Sequence, residues 1–379
     1  MRFNRLTKAL LLVFLATAIF SCKKKDDVKE FTAEDAKIEL REASQKLMTD
    51  VQNIFMEPSV QSINFLAVLL DFDFGEFSVN KLIQHPVPTY PKYFSRIKQS
   101  LAQQEHFKST TDEIDLGIFV YNFEHDYFEM VEPSQTKLQF SFPADEVAYA
   151  NQQNNAVLEV NNLEFATITI TETYFDDWSG EWVTETYDQE VPTKFNQTLA
   201  INGITTMTTN YNASFDNTAM PTALNLNLAM APYSFETSLT GSGSSYRTAS
   251  SLKLNSTALL GHDLNLKYTS DREFIEQISG NFFTDPLKVD GSVNVANLEA
   301  LMNEYEETGS YDLNELNAQM EIELLHIGEN AKLGDIQFRE YTDPVYGYKE
   351  LTLAIVYTDG TFEFLENLFE MDFKYSKVR

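Results

Sequence analysis

The sequence predicts an α+β fold: N-terminal helices, a large antiparallel β-meander that can curve into a half-barrel, and a smaller β-rich C-terminal part. Three observations carry this. Helical spacing of apolar residues is confined to the N-terminal region and the neighbourhood of residue 300, alternating apolar and polar runs fill most of the rest, and the turns between those runs are too short for crossover helices. With 379 residues, 43% of them hydrophobic, the chain can fill one large core or two modest ones. A single Cys rules out a disulfide scaffold, and a net charge of -29 repels phosphate backbones, which argues against nucleic acid as a partner.

At the N-terminus, Arg2, Arg5 and Lys8 precede a weakly polar to apolar stretch over residues 9–20 that ends in Ser21 and Cys22. Twelve residues are too few to span a bilayer, which needs about 20, but suit the apolar region of a secretory signal. Ile19, Phe20, Ser21 and Cys22 together resemble a bacterial lipobox. The resemblance implies cleavage before Cys22 and attachment of lipid to its thiol, and would account for the lone Cys. Lys23, Lys24, Lys25, Asp26 and Asp27 are similar to the short signals that send Bacteroidota lipoproteins to the outer face of the outer membrane. Several acyl chains hold a protein firmly where one, at roughly 0.8 kcal/mol per CH₂, does not. Loss of Arg2, Arg5 and Lys8, with no acid lost, would move the net charge from -29 to -32. So acidic a body should stand off an anionic surface on its tether. The organisation expected is a signal peptide at 1–21, a tether at 22–31, a helical region at 32–108, an antiparallel β region at 109–292, and a C-terminal α/β region at 293–379 packed on the same body.

The elements follow in order. Residues 32–56 read as a helix capped by Thr32, with Glu34 and Asp35 in the first turn, Pro58 beyond its end, and an apolar stripe of Ile38, Leu40, Leu47, Val51, Ile54 and Phe55. Residues 60–70 form a more apolar segment, read as a buried helix, with a strand left open by length. His85, Pro86, Pro88 and Pro91 break regular structure before a short helix at 93–104. A hairpin is expected at 118–131 with its turn at 122–126, then a strand at 138–142. This run, from Gly117 to Pro143, resembles an aromatic strand pattern of Bacteroidota outer-membrane lipoproteins, and implies lineage rather than chemistry. Strands at 162–175 and 181–191 pair around a polar turn, 195–201 meets Asn202-Gly203, the strongest short hairpin signal, and 205–215 follows. Leu224, Leu226, Leu228 and Met230 alternate with polar or small residues as a half-buried strand does. Further strands are expected at 233–239, 250–256 and 264–268. Asp290-Gly291 reads as a turn before a helix at 296–307. Strands at 319–326, 335–341 and 351–357, a turn at Asp359-Gly360 and an apolar segment at 362–369 close the chain. No fixed-period repeat appears.

No residue stands out as catalytic. The five His (His85, His106, His125, His262, His326) are far apart, and neither a nucleophile elbow nor a phosphate-binding loop is present. The Gly-Ser run at 241–245 lacks a following helix and Lys, so it reads as a flexible turn. Both tryptophans, Trp178 and Trp182, fall in one acidic hairpin tip with Asp176, Asp177 and Glu181. Such acids can ligate Ca²⁺ and such rings can stack on sugars, although aromatic cross-pairing over a ribbon explains the tip without any ligand. The expectation is therefore no metal and no cofactor, with Trp178 and Trp182 as ligand-contact candidates. Residues 195–246 hold only two charges, Asp216 and Glu236. A sheet so poor in charge has its second face covered or meets a protein partner or lipid-like ligand. The functional expectation is a lipid-anchored, non-enzymatic binding or assembly protein. A carrier of an apolar or lipid-like ligand in a curved sheet and an extracellular hydrolase are the alternatives.

Overall fold

The computed structural model describes residues 29–70, 116–176, 181–216, 220–272, 274–329, 331–342 and 349–365. Among the described residues the fold is α+β, with 17 strands in a mostly antiparallel sheet. The chain divides into two compact units, one comprising 1–51, 242–252 and 257–379, the other 52–241 and 253–256. The expected signal peptide, nearly all of the tether, the 93–104 helix, and His85 and His106 lie outside the described residues.

In the first of these units, helix α1 (Ala33–Phe55) packs on a sheet core. The Thr32 hydroxyl accepts the Asp35 N–H at 3.2 Å, as the cap reading expected. The buried positions are Ala36, Leu40 and Ala43, whereas Ile38 and Phe55 are exposed. The apolar stripe read from large residues was therefore shifted. Ala36 and Ala43 bring the helix axis close to Leu287, Val289, Val293, Leu324, Leu333 and Ile336. Strand β10 (Ser245–Leu254) neighbours β11 (Thr257–Tyr268), and β11, β12 (Ile275–Thr284), β13 (Leu287–Asn294), β14 (Met320–His326), β15 (Ala331–Thr342) and β16 (Lys349–Tyr357) pair successively antiparallel. Helix α4 (Val295–Thr308) follows β13, capped by the Asn294 side chain and closed by Gly309 in the left-handed region. Strand β1 (Lys29–Glu30) adds parallel to β15.

The second unit carries helix α2 (Pro58–Leu69), which decides the open choice at 60–70 in favour of helix. Strands β2 (Gly117–Asn122) and β3 (Tyr127–Pro133) form the expected hairpin, and β4 (Leu138–Phe142) lies parallel to β2. The short helix α3 (Glu146–Ala150) was not anticipated from the sequence. Then β5 (Ala156–Asp176), β6 (Glu181–Ile201), β7 (Ile204–Phe215), β8 (Pro221–Met230) and β9 (Tyr233–Ser242) run as an antiparallel meander. The Asn202-Gly203 turn is as read, both residues having positive φ.

Two readings need correction. Strand β6 runs unbroken through Pro192 where a break was expected at 192–194. Pro192 pairs with Phe165 beside a register shift between Asn161 and Phe165, and a bulge tolerates the missing N–H donor. Asp290-Gly291 is no turn, since both residues lie inside β13, and β12 and β13 were missed altogether. Gly291 is there for close approach: a Cβ on it would come within 2.1 Å of the Glu321 carbonyl oxygen. Its register partner Gly280, at φ +124°, would clash with the Asp263 carbonyl in the same way. Glycine pairs of this kind let neighbouring strands coil sharply.

Candidate functional site

A pocket of about 610 Å³ opens where α2, the β2–β3 turn and α3 converge. That size suits a small organic ligand. Phe65, Val68 and Leu69 of α2 supply an apolar side, Tyr121 and Tyr149 supply rings, and Asp126 and Glu146 supply carboxylates. Val68 is 71% exposed, so part of the apolar side faces solvent.

Local sequence places each polar group. The Asn122 side-chain oxygen accepts the N–H of Glu124 at 2.8 Å and of His125 at 3.3 Å, an Asx turn that folds the chain back. The turn ends with Asp126 at φ 57°, a conformation that Asp tolerates better than most residues. Asp126 is exposed, and one oxygen of its carboxylate accepts both the Tyr121 hydroxyl at 3.0 Å and the Tyr149 hydroxyl at 2.7 Å. Helix α3 presents Tyr149 because Asp145 caps it, accepting the Ala148 N–H at 2.7 Å. The rings then interlock: Tyr149 meets Phe65, Tyr121 and Phe123 at centroid distances of 6.1, 6.0 and 5.9 Å. Burial, reinforced by the Asp126 carboxylate, raises the Tyr121 pKa, and the hydrogen bond to Asp126 raises that of Tyr149. Both phenols stay protonated and donate. The result is a rigid frame of rings holding one carboxylate, with Glu146 beside it.

None of these residues was singled out from sequence. The Asn122 turn is a readable local signal, but the Tyr149–Asp126 bond joins residues 23 apart in the chain. The residues that were singled out lie elsewhere. Among the described residues, β5 pairs with β4 only as far as Val160 and β6 with β7 only from Lys194, so the outer β5–β6 hairpin is a two-stranded arm. From Glu164 to Asp176 it extends about 40 Å. In the backbone register, Trp182 stands opposite Phe175 and Glu181 opposite Asp176 at its end. Asp177 and Trp178 lie outside the described residues, as do Cys22, Lys23, Lys24, Lys25, Asp26 and Asp27.

The uncharged sheet has two unlike faces. One buries Met207, Tyr211, Leu224, Met230 and Leu239, with Phe195 stacked on Tyr211 at 4.8 Å. The other aligns Asn196, Asn210 and Asn227 across three strands and Asn212 opposite Asn225, with Asn210, Asn212, Asn225 and Asn227 exposed. Amides and hydroxyls take the place of Lys and Glu on a solvent-facing sheet.

The described histidines are dispersed. His125 stacks on Tyr127 at 5.6 Å, His326 stands 3.4 Å from Glu39, and His262 sits between Thr248 and Ser250. Among the described residues no three His, Cys, Asp or Glu side chains converge as metal ligands, and no helix is long and apolar enough to cross a membrane. No family model, curated protein or solved structure matches the chain.

Proposed function

We propose that this is a non-enzymatic binding protein, held at the outer membrane by lipid on Cys22 and displayed at the cell surface through Lys23, Lys24, Lys25, Asp26 and Asp27, with the Tyr121–Asp126–Tyr149 pocket as its ligand site. The observation that carries the binding reading is the pre-formed frame. Asp126 is locked by two tyrosine hydroxyls, and the rings around it are fixed by contacts with one another. Pre-organised rings and acceptors hold a ligand without first having to order themselves. The anchoring part rests on the short apolar stretch that runs into Ser21-Cys22. Carboxylates beside the apolar wall favour this reading over carriage of an anionic amphiphile such as a fatty acid.

Radioactive palmitate labelling tests the anchor: the native chain should incorporate label and pellet with membranes, and Cys22→Ser should do neither. Unchanged labelling of that variant would refute lipidation. Protease shaving of intact cells should remove the native protein, and protection from protease would place it on the periplasmic side.

A further inference from the structure

The charge around the pocket is one-sided. Residues 116–160, which carry both pocket carboxylates, contain seven acids and a single Lys or Arg, Lys137, and that base is held by Glu159 at 2.7 Å. Among the described residues neither Asp126 nor Glu146 is ion-paired, and the side chains lining the pocket include no Lys, Arg or His. A negative, partly apolar concavity concentrates cations from solution. Tyrosine and phenylalanine rings attract an ammonium group within about 6 Å of their centroids, more strongly when it leaves water. Phe65, Tyr121 and Tyr149, packed on one another, line one side of such an open space beside the two carboxylates, while Val68 and Leu69 offer an apolar wall for the rest of a ligand.

Resting on the reading of this pocket as a ligand site, we propose that it takes a small organic cation: a primary or quaternary ammonium on an apolar body. The ammonium sits against the Tyr121 and Tyr149 rings with Asp126 and Glu146 as counter-ions, and the apolar body lies along α2. The charge that the tyrosine hydroxyls share with Asp126 remains on the protein, so the site selects by sign as well as by shape. An anion of the same size meets two carboxylates and is rejected.

The test uses the mature lipidated protein in a non-ionic detergent and four probes of similar shape: benzylamine, benzyltrimethylammonium, benzyl alcohol and phenylacetate. Binding is measured by calorimetry and by saturation-transfer NMR. The cations should bind at least tenfold more tightly than the alcohol, phenylacetate should not bind, and cation affinity should weaken with added salt. Asp126→Asn combined with Glu146→Gln keeps an acceptor for both tyrosine hydroxyls. It should lower benzylamine affinity about tenfold or more while leaving benzyl alcohol unchanged and the melting temperature within a few degrees. Cation and alcohol binding of equal strength, or benzylamine binding untouched by the double variant, overturns the cation assignment and leaves the ligand pocket standing. Failure of all four probes to bind overturns both.

Discussion

His262 makes a sharp test of how this sheet is packed. Its Nδ1 lies 2.8 Å from the Ser250 hydroxyl and its Nε2 lies 3.2 Å from Thr248, and the Phe282 ring is 5.5 Å away. Burial pushes the imidazole pKa down from 6.5 to about 4, opposed in part by the neighbouring Asp263 carboxylate. Asp263 is itself held by Arg247, 2.7 Å away through Nε, so its pull on the ring is shared. The folded state thus prefers neutral His262, and the unfolded chain takes up the proton first as pH falls. Stability from this group is complete above pH 6.5 and is lost as pH falls from 6.5 towards 4. The whole shift corresponds to roughly 3 kcal/mol, of which about 2 kcal/mol is gone by pH 5. Below that, the chain nears its isoelectric point of 4.4, where net charge no longer keeps it soluble, so pH 5 is a practical floor. Imidazole carbon shifts in NMR should show one ring still neutral at pH 5. In urea melts at pH 7.5 and 5, His262→Gln, which keeps a polar group between the two hydroxyls, should remove about 2 kcal/mol of the pH dependence. A ring that titrates near 6.5, or a glutamine variant with the pH dependence of the native chain, would refute the burial argument.

Asp290 should act in the opposite sense. Burial, with Glu323 and Glu321 nearby, raises its pKa to about 6 despite Lys288, so its contribution is full at low pH and lost as pH rises through 6. Asp290→Asn should therefore stabilise the chain at pH 7.5, by about 1 kcal/mol once solvent screening is allowed for, and by roughly half as much at pH 5. A destabilised Asn variant at pH 7.5 would contradict this. Leu40 is 1% exposed in the core formed by α1 and its sheet, so Leu40→Ala should cost about 2 to 5 kcal/mol, measured by urea unfolding. A cost below about 1 kcal/mol would mean that α1 is not packed as described.

Periodicity and turn chemistry act over a few residues, and wherever they suffice the elements were legible in the sequence. Thr32 and the acids after it start α1, Asn202-Gly203 makes the β6–β7 turn because both residues accept positive φ, and the alternation from Leu224 to Met230 marks β8. The α+β class followed from those local signals together. Long-range packing decided the rest. Asp290-Gly291 has the composition of a turn, yet Gly291 lies mid-strand because the Glu321 carbonyl leaves no room for a Cβ. Pro192 looks like a strand breaker, but a bulge opposite it absorbs the missing donor. Ala36 and Ala43, weak signals of hydrophobicity, face the core because small residues let a helix lie close to a sheet. The pocket depended most on tertiary structure. Its residues come from three segments, each with a local reason for its shape, and only folding brings the Tyr149 hydroxyl to within 2.7 Å of Asp126. The sequence by itself determined the fold class, most strands and turns, and the strong negative charge, because these are local or additive properties. Which carboxylate faces which ring is a property of contacts between distant segments, and only the tertiary structure decided it.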